Sequence, residues 1–214
     1  MRHLAFILLL ITASSSAFGA DSLPYGQGLS FAVVRNGQQI GSHKLAFEQQ
    51  GGQLKVSTSI DLTVKVVGIT AYRYSHRAQE VWSGDALLSL TSRTDDDGKQ
   101  YAVQANRTGE GIAVQAQSAG RQVLPATILP SSHWNFRQVA QNVLLNSQKG
   151  NEARVTVTSL GRETIKTASS TLQATRYRYD GDVKMDQWFD DRGRWVKMAF
   201  AGSDGSAIEY VLQE

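Results

Sequence analysis

From Leu54 the chain alternates apolar and polar residues for thirteen positions. Leu54, Val56, Thr58, Ile60, Leu62, Val64 and Val66 fall on one face, and Lys55, Ser57, Ser59, Asp61, Thr63 and Lys65 on the other. Alternation at period two predicts a strand with one face buried and one in water. At the usual rise such a strand spans about 43 Å, against about 17–20 Å for a common strand. A strand of that length must twist and bend with its sheet. The pattern therefore predicts a strongly curved antiparallel sheet, as an incomplete or closed barrel.

Turn chemistry recurs at strand-length intervals along the rest of the chain. Asn36-Gly37, Gly51-Gly52, Gly84-Asp85, Asp97-Gly98, Asp180-Gly181, Arg192-Gly193 and Asp204-Gly205 separate runs rich in Val, Thr, Ile, Tyr and Phe. Asn-Gly and Asp-Gly favour tight hairpins because both residues tolerate positive φ. The spacing predicts an antiparallel meander, since parallel units need long crossovers. One segment breaks the rhythm. Phe136, Val139, Ala140, Val143 and Leu144 fall on one helical stripe, with Asn135 placed to cap it and Gln138 three residues on. A single short helix is expected over Asn135–Asn146, lying on the concave side of an otherwise all-β fold. The preceding segment, Leu124 to Pro130, holds two of the three prolines and is expected to be an ordered loop or lid.

The N-terminus changes the picture from fold to destination. Arg2 precedes the apolar run Leu4 to Ile11, and the small residues Ala17, Gly19 and Ala20 follow a polar stretch. That order is the pattern of a secretory signal peptide, and the run is too short to span a bilayer. Residues 1–19 are expected to be removed, leaving 20–214 as a single domain in the periplasm or outside the cell. The formal charge of +3 is small and its basic residues are scattered, which argues against a nucleic-acid surface. Cysteine is absent, so neither a disulfide framework nor a lipoprotein-type anchor is expected.

Candidate chemistry is sparse. Tyr72, Tyr74 and His76 share one face of a strand, suited to cross-strand packing or to the wall of an apolar pocket. His133-Trp134 sits just before the expected helix, on a loop that could edge the pocket. The competing reading is that Trp134 plugs the end of the sheet. These five residues form the expected ligand-binding set. His43 shares a face with Leu45 and Phe47 and reads as a core histidine. No histidine pair has a metal-ligand spacing, and no nucleophile, phosphate-loop or dinucleotide motif occurs. No catalytic residues, metal or cofactor are expected. Asp95-Asp96-Asp97, Asp180 with Asp182, and Asp190-Asp191 each abut a glycine turn and read as turn caps.

Several stretches carry a resemblance. They are Phe31 to Gly37 leading into Ile40 to His43, Leu129 to Asn135, and Gln187 to Lys197 with Asp204 to Tyr210. Together they resemble a family of exported bacterial proteins known only as a domain of unknown function, distantly similar to the periplasmic lipoprotein carriers. The resemblance implies a curved, incomplete antiparallel barrel around an apolar hollow, and no catalytic residues. The expected partner is a lipid or other hydrophobic small molecule, with no nucleic acid and no stable membrane anchor. An envelope-assembly protein with a filled core, and a glycan-acting hydrolase using the acidic residues, are the alternatives.

Overall fold

The alternation that begins at Leu54 is realised as a 14-residue strand in the computed structural model, which describes residues 25–213. The leader expected at residues 1–19 lies outside the described residues. Among these the chain forms β1 (Gly28–Arg35), β2 (Gln38–Gln50), β3 (Gln53–Val66), β4 (Ile69–Ser83) and β5 (Ala86–Asp96). It continues as β6 (Lys99–Arg107), β7 (Ile112–Ala116), β8 (Gly120–Leu124) and the short β9 (Leu129–Pro130). The second half contributes β10 (Val143–Leu145), β11 (Glu152–Lys166), β12 (Thr171–Gly181), β13 (Met185–Phe189), β14 (Trp195–Ala201) and β15 (Ala207–Leu212).

All belong to one sheet, ordered β8-β7-β6-β5-β4-β3-β2-β1-β15-β14-β13-β12-β11-β10-β9. Two meanders are thus joined where the first and last strands pair, with Phe31 opposite Leu212 and Arg35 opposite Ile208. Pairing is antiparallel except between β9 and β10. Asn36-Gly37 and Asp97-Gly98 turn with positive φ at both residues (47° and 81°, 52° and 88°), the hand that suits twisted hairpins. Register shifts at Val33/Val34, Val64/Lys65 and Val81/Trp82 bend the sheet further. The sheet is strongly curved but unclosed, because β8 and β9 remain its two edges. Side chains draw its ends together: the Ser92 hydroxyl donates to the Ser147 carbonyl (2.5 Å) and the Gln122 amide to the Gly150 carbonyl (2.6 Å).

The expected helix does not form. Phe136–Ala140 makes one 3-10 turn, capped by the Asn135 side chain, which accepts from the Arg137 N–H (3.1 Å). Val143–Leu145 instead becomes β10 between β9 and β11. The proposed stripe is inverted at its start, with Phe136 39% exposed and Gln138 buried. Leu144 and Leu145 reach full burial through the β11 ladder, opposite Ala153 and Glu152. A short apolar run bounded by turns suits either period, and pairing decided it here. The Leu124–Pro130 segment is likewise no free lid. Leu124 ends β8, Leu129 and Pro130 form β9, Leu124 and Ile128 pack with Leu90, Val103 and Ile112 in a cluster of their own, and Leu129 belongs to the larger core.

The larger core lies inside the curve and is unusually aromatic. Phe31, Trp82, Tyr179, Phe189 and Trp195 are all at most 1% exposed. Tyr25 stacks on Phe47 (4.8 Å between centroids), and Phe31 lies 4.2 Å from Trp195.

Candidate functional site

At one end of the curve the inner face opens into a cavity of about 730 Å³. Ile60, Leu62, Val64 and Val66 from β3 line one wall. Met198 and Phe200 from β14, with Ile208 and Tyr210 from β15, line the opposite one. Tyr72 and Tyr74 from β4 stand at the side, and His133 reaches in from the segment after β9. The period-two face recognised in the sequence thus provides a wall of the hollow. A wider depression of about 920 Å³ lies on the outer face over Gly28, Ala46 and Ser57. It is shallower and made largely of strand surface, so the cavity inside the curve is the better candidate site.

The five expected site residues divide. Tyr72, Tyr74 and His133 line the cavity. His76 and Trp134 do not. His76 is 3% exposed and sits deeper on the same face, its Nδ1 2.8 Å from the Thr94 hydroxyl. Trp134 is 5% exposed and plugs the far end of the core. Its ring stands edge-on to Trp82 and Phe47, at 5.6 Å from each, and its backbone carbonyl accepts from the Tyr25 hydroxyl. A large apolar ring gains most from full burial when its N–H finds a partner, and this one does, as described below.

At the inner end of the cavity three weakly basic imidazoles come together, with His133 in its lining and His43 and His76 deeper. His43, Ile60, His76 and Thr94 form one cross-strand row on β2 to β5. His133 packs 6.4 Å from His43 and 5.4 Å from Trp195. It occupies the left-handed region (φ 72°) in a tight turn closed by the Trp134 N–H to the Ser132 carbonyl (3.0 Å). The Gln187 side-chain amide lies 2.6 Å from His133 Nδ1. Burial lowers the pKa of His76 and of His133 to about 4, and His43 falls well below its ordinary value for the same reason. The neighbouring histidines add to the effect on His43 and His133. All three rings are therefore neutral near pH 7. Among the described residues no group of three or more His, Asp or Glu is arranged to hold a metal ion.

The residue that sequence reasoning missed is Glu80. It is 1% exposed, and its Oε2 accepts from the indole N–H groups of Trp82 (2.9 Å) and Trp134 (3.1 Å). Burial raises its pKa, and the nearby Ser132 hydroxyl and the two indole donors oppose that. The signal was present: the face carrying Tyr72, Tyr74 and His76 continues through Ala78 to Glu80 and Trp82. An acidic residue on a face otherwise bound for the core is the anomaly to look for.

The rim is polar and largely self-satisfied. The Tyr72 hydroxyl donates to Asp96 Oδ1 (2.7 Å). Asp204 pairs with Arg35 (2.6 Å) and accepts from the Ser206 hydroxyl (2.6 Å), which hold its carboxyl well below the usual range. The Tyr74 hydroxyl, by contrast, is buried without a protein hydrogen bond, and burial pushes its pKa further above the phenol range. Tyr74 is thus a protonated polar handle within an apolar wall. The acidic clusters elsewhere serve turns: Asp95 accepts from the Gly98 N–H (2.7 Å), Asp182 from Arg154 (2.8 Å), and Asp190 from Arg192 and Arg194 (2.9 Å each).

A single curved, unclosed antiparallel sheet around an open hollow defines the structural class. Within it, the chain belongs to the family described as a domain of unknown function (DUF6134), whose sequence pattern matches residues 31–213. No curated protein matches the chain.

Proposed function

We propose that the protein binds a lipid or another amphipathic, largely apolar small molecule in the cavity between β3–β4 and β14–β15, and that it does so without catalysis. The observation that carries this reading is the cavity itself: about 730 Å³, with aliphatic walls and a polar rim. That volume falls within the range of small-molecule sites, about 300–1,000 Å³. The apolar part of the guest lies against Ile60, Leu62, Val64, Met198 and Ile208, and the Tyr74 hydroxyl meets its polar end. The N-terminal pattern favours export, with cleavage after Gly19 and work in the periplasm or outside the cell.

The hydrolase reading finds less support. A glycosidase acid must hold its proton at working pH, whereas Asp204 at the rim is kept ionised by Ser206 and Arg35. Glu80, with its raised pKa, belongs to the packed end of the core.

Titration with a fluorescent fatty-acid analogue tests the proposal. Saturable uptake with micromolar affinity, weakened by Tyr74→Phe, is the expected result. Absence of saturable uptake would return the protein to the filled-core, assembly-type reading. Where uptake is saturable, mass spectrometry of small molecules that co-purify from the native envelope identifies the guest.

A further inference from the structure

We propose that the turn between β3 and β4 is a docking element that inserts into the surface of an anionic lipid bilayer, beside the mouth of the cavity. Val66, Val67 and Ile69 are 55%, 95% and 73% exposed. The other large apolar side chains that stand exposed among the described residues, Val123, Phe136 and Leu160, lie on three separate elements. Only at this turn do such residues cluster.

The backbone makes the same point independently. Val67 and Gly68 occupy the two turn positions with φ of 50° and 79°. The equivalent first positions at two other hairpins hold Asn36 and Asp97, residues that tolerate this conformation. A β-branched side chain there is a genuine outlier. In water it combines backbone strain with exposed hydrocarbon, and neither is compensated. Against lipid the hydrocarbon is buried and the strain is offset.

Charge selects the kind of surface. From Leu62 to Ser75 the hairpin carries Lys65 and Arg73 and no acidic residue. Lys65, opposite Thr70, stands nearer the tip than any carboxylate, since Asp95 and Asp96 pair at the level of Ser75 and Tyr74, Asp97 accepts from the Arg73 backbone N–H, and Asp61 lies opposite Ser75. Basic residues flanking an apolar tip suit anionic headgroups. A specific protein partner fits less well, since such interfaces rely on larger areas with aromatic or arginine anchors, and the tip offers three aliphatic side chains. Position supplies the last argument. Val66, Ala71 and Tyr72 belong both to this hairpin and to the cavity lining, so insertion brings the opening to the lipid surface.

Co-sedimentation with vesicles of phosphatidylethanolamine and phosphatidylglycerol tests this, against pure phosphatidylcholine vesicles. Val67→Asp and Ile69→Asp are expected to lower partitioning onto the anionic vesicles by about tenfold or more. Val67→Gly, which relieves the backbone while removing the side chain, should also lower it and should melt no earlier than the parent. Val123→Asp, an exposed apolar site elsewhere, should leave it unchanged. The comparison is made within one chain, so any contribution of Leu4 to Ile11 is common to all variants. Vesicle binding that ignores the tip substitutions, or no binding by the parent protein, would overturn the proposal. So would self-association that disappears in Val67→Asp, which would make the tip a contact between two copies. Fatty-acid uptake from solution should persist in Val67→Asp, because Val67 does not line the cavity. Loss of uptake in every form with vesicle binding intact would defeat the ligand proposal alone.

Discussion

The same two strands build a packed end and an open end, and they differ in what covers them. Along β3, Val56, Thr58 and Ile60 are 0%, 7% and 6% exposed, whereas Val66 on the same face reaches 55%. Along β4, Trp82 and Glu80 are sealed at one end while Tyr72 and Tyr74 remain partly open at the other. Residue type does not explain the gradient, because both ends carry aliphatic and aromatic side chains. At the packed end Tyr25 and Trp134, from outside the long hairpin, fill the curve and bring hydrogen-bond donors with them. At the open end no segment among the described residues crosses the hollow. A curved sheet makes more space than its own side chains fill. Whether that space becomes core or site depends on which loops return across it.

The contrast is broken most directly at Trp134. Trp134→Ala removes the plug and one of the two indole donors to Glu80. Truncation of a buried Trp costs about 3–5 kcal/mol, so a large drop in the urea midpoint is expected. Glu80→Leu should also be costly, since it leaves two buried indole N–H groups without an acceptor, at about 1–3 kcal/mol each. If Trp134→Ala proved mild in stability yet impaired ligand uptake, Trp134 would belong to the open end after all.

Acid should sharpen the comparison by acting on titratable groups at both ends. His76 and His133 have folded-state pKa values lowered from 6.5 to about 4. The unfolded chain therefore binds more protons as pH falls below about 6.5. Their contribution to stability is complete above that pH and is lost as pH falls towards 4. The expected total is about 1–3 kcal/mol per ring at most. Glu80 acts with the opposite sign. Its pKa is raised, so the unfolded state loses the proton first, and stability declines as pH rises above about 4.3. Urea midpoints measured from pH 4 to pH 7.5 should therefore fall more steeply on the acid side in Glu80→Gln than in the parent. His133→Asn should flatten the same limb. A flat profile in all three proteins would contradict the burial of these groups.

Much of this was legible in the sequence, and the exceptions have physical causes. The β3 alternation, the hairpin turns and the inner face of Tyr72 and Tyr74 were readable, because strand period and turn chemistry are local properties. Asn135–Asn146 reads as helical from five apolar residues at helical spacing and a capping pair, but the strand partners of Leu144 lie at Leu129 and Ala153, beyond any local pattern. Trp134 and Glu80 are 54 residues apart, so neither reveals its partner locally. The union of β1 with β15, which joins the two meanders, likewise links strands at opposite ends of the chain. His133 was singled out for its loop and does reach the cavity, but its Gln187 partner comes from β13.

The smallest expected change in stability is the most informative about the hollow. Leu62 lies on β3 between Ile60 and Val64 and lines the cavity while remaining partly exposed. Leu62→Ala removes atoms that already face open space, so no closed void forms around a lost side chain. A cost below about 1 kcal/mol is expected, against about 2–5 kcal/mol for Leu45→Ala, whose side chain is 3% exposed in the packed region. Leu62→Trp tests the same space from the other direction. In a filled core an extra ring would overpack and cost about 1–3 kcal/mol. In an open hollow it occupies the volume a guest would use, leaving the urea midpoint near the parent value while fatty-acid uptake falls. If Leu62→Trp strongly destabilised the fold, the open end would be packed in solution and the distinction between the two ends would disappear.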